Sequence, residues 1–126
     1  MKIFIGISAV LAWLFGIMLL FLPAAFYMPV GIMLTPLLAT VAQAHGATLF
    51  GLGALNWLGR KADRKGIIAI LTGNLVVQAL SFAVIIRTWS LNPGPQAIPG
   101  MAIHITLGTL FAVFLYRVHA HKVEIS

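Results

Sequence analysis

The apolar positions of this chain fall into four long runs, Ile3 to Leu22, Leu37 to Leu58, Ile67 to Ile86 and Ile98 to Val118, separated by short polar or proline-rich connections. Each run approaches the ~20 residues that cross a hydrocarbon core of about 30 Å at 1.5 Å rise per residue. The pattern predicts an all-α, polytopic membrane protein, an up-and-down bundle of four transmembrane helices in a single domain over residues 1–126. The basic residues then set its orientation. Lys2, Arg60, Lys61, Arg64, Lys65, Arg117 and Lys122 are seven of the eight Lys and Arg, and all of them flank the spans on one side. The positive-inside rule places that side in the cytoplasm, so both termini and the middle loop face inward and the two proline-containing loops face outward.

Composition changes little in this picture but removes alternatives. With 61% hydrophobic and 8% charged residues and a mean hydropathy of +1.06, the chain is too apolar to cover a soluble domain with charge. The net charge of +6 sits beside the spans, where it holds anionic headgroups, and does not imply nucleic acid. No cysteine is present, which rules out disulfides, thiolate catalysis and iron-sulfur ligation. The first span, preceded by Lys2 and followed by Pro23-Ala24-Ala25, is longer than the ~7 to 15 residues of a signal h-region and lacks an A-x-A site, so its retention is expected.

The connections carry information of their own. Gly59 to Gly66 reads as a charged hairpin whose glycines suit a helix C-cap and a sharp stop. The first outer connection, Pro23 to Pro36, holds Phe26, Tyr27, Met28, Val30, Ile32, Met33 and Leu34 with no charge, which suits the membrane interface. The second, Trp89 to Gln96, reads as a turn-rich loop with Trp89 in the aromatic belt, and Trp57 marks the opposite interface. Small residues spaced by four, Ala12/Gly16, Ala42/Gly46, Ala47/Gly51, Ala69/Gly73 and Gly108/Ala112, occur in every span and permit close helix packing, within one chain or between copies in an oligomer.

Candidate chemistry rests on the polar residues inside the spans, because ionisable groups there are costly. His45 lies about seven or eight residues from the outer end of span two and His104 about six from that of span four. At 1.5 Å per residue both are roughly 9 to 12 Å deep. In a simple bundle these spans are diagonal partners, so the pair suits bis-histidine ligation of a b-type haem, with Gly46 and Gly108 admitting the macrocycle and Arg87 near the propionates. The competing reading has both histidines bonded to helix backbone and Arg87 snorkelling to headgroups. Asn74, Gln78 and Ser81 form a second polar stripe on span three, spaced as one helical face. With His45 they would line a pocket for a quinone-like or lipid headgroup, and Trp13 would stack on a ring. Interhelical hydrogen bonding and core packing are the plainer roles of the same residues.

The only acids, Asp63 and Glu124, lie outside the spans. No carboxylate is placed for proton-coupled exchange, which argues against a small multidrug transporter, and none reaches a histidine to complete a Ser-His-Asp triad. His119 and His121 read as surface residues of the tail.

Four spans in about 125 residues, a proline-rich loop after the first, and the glycine-rich segment Ala44-His45-Gly46-Ala47-Thr48-Leu49-Phe50-Gly51-Leu52-Gly53 followed by a basic hairpin resemble the DoxX-like group of small bacterial integral membrane proteins. The resemblance spans the chain, is architectural, and transfers no catalytic residue. It implies a multi-pass protein of the bacterial inner membrane acting as a membrane subunit linked to quinone-coupled oxidation. The sequence therefore points to an accessory or redox-associated subunit binding a quinone, haem or lipid in the outer half of the bundle. A small oligomeric transporter or channel is the alternative, and whether the protein is an enzyme is left open.

Overall fold

The computed structural model describes residues 1–120; His121, Lys122 and Glu124 lie outside the described residues. The helices are α1 (Lys2–Phe21), α2 (Pro23–Tyr27), α3 (Pro36–Gly59), α4 (Arg64–Leu91) and α5 (Ile98–Ala120), and no strand occurs among the described residues. Four of these, α1, α3, α4 and the segment ending in α5, are long and apolar enough to cross a membrane. Each expected span thus has a helix of sufficient length and apolarity. The molecule divides into two compact units, Met1–Lys61 and Ala62–Ser126, each built on one antiparallel helix pair.

In the first unit α1 packs against α3, and small residues decide how closely. Ala12 and Gly16 on α1 and Ala42 and Gly46 on α3 are all buried. A Cβ built on Gly46 would stand 2.8 Å from the Gly16 carbonyl oxygen and 2.8 Å from the Leu20 nitrogen, so the two backbones touch. Membrane helices gain little from burying apolar surface against each other, and this contact supplies the dispersion and backbone dipole attraction that holds them. The packing extends outward from the crossing. Leu19, Ala9 and Ile5 continue the buried face of α1, and Gln43 Nε2 donates to the Leu20 carbonyl at 3.1 Å.

The connection from α1 to α3 is more ordered than a plain loop. Pro23 opens α2, where its missing N–H costs nothing, and Met28–Val30 form a 3-10 turn that Gly31 ends at φ 74°. Gly31 has the only positive φ among the described residues, a left-handed conformation that glycine adopts without Cβ strain. Thr35 then caps α3 through its hydroxyl, which accepts from Leu38 N at 3.3 Å. Met28, Ile32 and Met33 are exposed, and the segment presents apolar side chains with no charge.

Two connections depart from their expected form. Gly59 is not a left-handed cap: α3 ends on Arg60 in the right-handed region, and the turn is fixed by Asp63, whose Oδ1 accepts from Gly66 N at 2.8 Å to cap α4. The carboxylate at the N-cap satisfies a donor that a glycine could not, which moves the organising residue from the glycines to Asp63. The proline-containing loop before α5 is also shorter than expected, since α4 runs to Leu91 and carries Trp89 and Ser90 in its last turn. Val84 and Arg87 carbonyls accept from the Thr88 and Ser90 hydroxyls at 2.9 and 2.7 Å, bonds a helix tolerates, and only Pro93 stops it. At 28 residues α4 is about 42 Å long, more than the core thickness, so it tilts or emerges if it spans.

In the second unit α4 packs against α5. Ile67, Leu71, Asn74 and Gln78 form the buried face of α4, and Phe111 and Val118 that of α5. Arg64 Nη2 donates to the Val118 carbonyl at 2.8 Å, tying the start of one helix to the end of the other. Gly100, at the opposite end, makes room for Ile85, whose Cδ1 lies 2.9 Å from where a Cβ would be. Ala47, Gly51, Ala69 and Gly73 are exposed, and nothing lies within 4 Å of a Cβ placed on Gly51 or Gly73. Those two pairs therefore do not build the hairpins, in contrast to Ala12/Gly16 and Ala42/Gly46.

Candidate functional site

Among the described residues, the polar side chains of Ser8, Asn56, Asn74 and Gln78 are buried between the apolar residues of the helices. A buried polar group needs a partner, and in a membrane helix its choices are the preceding turn or the neighbouring helix. Both occur here. Ser8 Oγ donates to the Ile5 carbonyl at 2.8 Å and accepts from Asn56 Nδ2 at 3.3 Å, a relay that crosses from α3 to α1 within the first unit. Asn74 Nδ2 donates to the Ile70 carbonyl at 2.9 Å in its own helix.

The second crossing is the one with chemical potential. Gln78, 7% exposed, faces His104 on α5, and the His104 Nδ1 to Gln78 Oε1 distance is 2.6 Å. With the amide oriented in this way Oε1 accepts, so Nδ1 carries the proton and the ring is fixed in rotation by the amide. His104 is six residues into α5, about 9 Å from its start, and Gln78 lies near the middle of α4. Gly108, one turn on from His104, sits beside the stem of Gln78, with 3.5 Å between its built Cβ and Gln78 Cβ. A larger residue at that position would press on the glutamine. Asn74, one turn before Gln78, completes a buried polar line on the inner face of α4.

The remaining sequence candidates fall elsewhere. His45 is exposed on α3 in the first unit, on the flank next to Gly46, whereas His104 is half-buried in the second. Arg87 is exposed one turn before the end of α4. Trp13 packs onto Gly53, where a Cβ would meet its Cδ1 at 2.5 Å, and between Phe50 and Trp57 with ring centroids 6.2 and 5.6 Å away. Its Nε1 is buried without a hydrogen-bond partner. Trp13 thus acts in an aromatic cluster of the chain itself. His119 Nδ1 donates to the Leu115 carbonyl at 2.9 Å and is exposed. No group of three metal-ligating side chains gathers among the described residues. For a haem, the contribution legible here is that of His104, whose ring is oriented by an amide in the way outer hydrogen bonds orient metal-bound imidazoles.

The Ser8–Asn56 relay and the direct Gln78–His104 bond are not evident from the sequence alone. A signal for the first exists: eight residues before Gly16 and ten after Gly46, in an antiparallel pair, bring positions 8 and 56 level. Comparison with family models, curated proteins and solved structures gives no match to the chain.

Proposed function

We propose that this protein is a small accessory or redox-associated subunit of a bacterial inner membrane, binding a lipophilic ligand beside the Gln78–His104 pair. The observation that carries this reading is the part-buried 2.6 Å bond between those side chains, on two apolar helices. An imidazole oriented by an amide offers the polar contact that a quinone carbonyl or a lipid headgroup requires, and the same imidazole orientation suits a haem ligand. The architectural likeness to DoxX-like proteins agrees with a quinone-linked role, and Asn74 extends the polar line for a larger headgroup. For a haem, His104 would be the ligand that the second unit supplies, with Arg87 an exposed cation of that same unit.

Binding of a short-chain benzoquinone to the full chain in detergent, followed by tryptophan fluorescence, tests the site. His104→Leu and Gln78→Leu should each weaken binding about tenfold, the worth of one lost hydrogen bond in an apolar pocket, with the helical circular dichroism retained. Unchanged quinone affinity in both variants overturns the quinone reading. A Soret band in protein from haem-replete cells, lost in His104→Ala, would assign the ligand as haem. The transporter or channel alternative is favoured by one feature, the exposed Ala47/Gly51 and Ala69/Gly73 pairs, which suit helix contacts between copies. Conductance of the chain alone in liposomes would decide for it.

The orientation belongs to the same proposal and rests on the seven basic residues at one side. Because the chain has no cysteine, single cysteines introduced at Lys61 and Asn92 report topology without background. An impermeant maleimide should label position 92 from outside intact cells and position 61 only after lysis; the reverse pattern would invert the topology.

A further inference from the structure

The first unit carries a groove of about 450 Å³ lined by Lys2, Ile3, Gly6, Ile7, Val10, Leu11, Trp57 and Arg60. Its walls are apolar. Ile3, Ile7 and Val10 are exposed along it, and Trp57 is 39% exposed at its side. The wall on α1, from Lys2 to Leu11, runs about 13 Å along the helix axis. Both charged residues stand at one end, Lys2 at the start of α1 and Arg60 at the close of α3.

The basic end is built as well as charged. Arg60 lies across the Trp57 ring, with Cζ 3.4 Å from the centroid, and its Nη1 donates to the Trp57 carbonyl. Its stem runs beside Gly6, where a Cβ would be 3.7 Å from Arg60 Cδ. The guanidinium is therefore held at the groove by the ring and the carbonyl of Trp57. No carboxylate exists anywhere in residues 1–61, so the unit has nothing of its own to neutralise Lys2, Arg60 and Lys61.

We infer that this groove binds the phosphate of an anionic phospholipid between Lys2 and Arg60, with an acyl chain lying along Ile3, Ile7 and Val10 against Trp57. Charge complementarity selects the occupant. An open apolar groove with two cations at one end fits a single amphiphile with a negative head, and a zwitterionic lipid brings a cation that these residues repel. Arginine suits the role because its fork gives two parallel N–H donors to phosphate oxygens, while Trp57 holds it in place.

The test uses the full chain in detergent, titrated with phosphatidylglycerol or phosphatidylcholine of matched acyl chains and read by native mass spectrometry. Phosphatidylglycerol should bind about tenfold more tightly. Lys2→Gln combined with Arg60→Gln should reduce it to the phosphatidylcholine level, while Lys61→Gln, an exposed charge outside the groove, should leave the preference intact. Gly6→Leu, which fills the groove and keeps both charges, should weaken both lipids and provides a second reading if the double variant does not fold. Equal binding of the two lipids, or equal loss in Lys61→Gln, overturns the site. So does a dimer that is lost in Gly6→Leu, which would assign the groove to a second copy of the chain.

Discussion

Gly46→Leu should prevent the first helix pair from forming, whereas Gly51→Leu, five residues further along the same helix, should be close to neutral. The difference lies in what each new side chain meets. At Gly46 the first added carbon alone stands 2.8 Å from the Gly16 carbonyl oxygen, 2.8 Å from the Leu20 nitrogen and 2.9 Å from Leu19 Cβ. Two of those three are backbone atoms, which cannot rotate away as a side chain would. At Gly51 nothing lies within 4 Å. Overpacking a core costs ~1 to 3 kcal/mol when side chains can yield; here the helices themselves must separate, so a loss of more than about 3 kcal/mol is expected. Separation would also break the Gln43 to Leu20 bond and the Ser8–Asn56 relay, because both depend on the same interhelical distance. Thermal unfolding in detergent, with proteolysis of the Pro23 to Pro36 connection as a second readout, checks this. Similar melting of the two variants would remove the glycine contact from its role.

Much of the architecture is legible in the sequence because transmembrane spans obey a length rule that tertiary contacts rarely override. The four apolar runs match α1, α3, α4 and α5 to within a few residues at most ends. The exceptions have local causes. The apolar run of span three ends at Ile86, before the charged Arg87, yet nothing before Pro93 breaks a helix. Glycine likewise suggests a C-cap, but α3 closes on Arg60 in the right-handed region, and the side-chain cap in this connection is Asp63 at the start of α4.

Which small residues touch is less legible. Ala12/Gly16 and Ala47/Gly51 look alike on paper; only the register of α1 against α3 buries one pair and exposes the other. The same is true of the polar positions. Asn74, Gln78 and His104 stand out individually, because polarity inside a span is costly. That Gln78 belongs to His104 depends on α4 and α5 being antiparallel with residues 78 and 104 level, which the composition of neither helix states. Trp13 shows the limit of residue-type reasoning: an indole mid-span suits a ligand ring, but Gly53 leaves a recess that the indole fills itself.

The polar line of the second unit is made entirely of neutral side chains, and this is a constraint with a measurable edge. Asn74 lies ten residues into α4, about 15 Å from its start, and is 3% exposed. Its Nδ2 donates to the Ile70 carbonyl at 2.9 Å. Asn74→Asp keeps the shape but replaces that donor with an oxygen, so two acceptors face each other, and it brings the first carboxylate into any span of the chain. An aspartate at the centre of a membrane helix costs ~2.5 to 3.5 kcal/mol in insertion alone, and a buried charge whose hydrogen bond has become a repulsion costs more. Asn74→Leu removes the same bond without adding charge, and loses only the ~1 kcal/mol typical of hydrogen bonds between or within membrane helices. At neutral pH the Asp variant should therefore yield little folded protein and melt well below the Leu variant. If instead Asn74→Asp folds as well as Asn74→Leu with its carboxylate ionised, water must reach this depth of the helix pair. The neutral polar line would then be part of a hydrated path, and the reading as a closed site for a lipophilic ligand would give way to that of a channel.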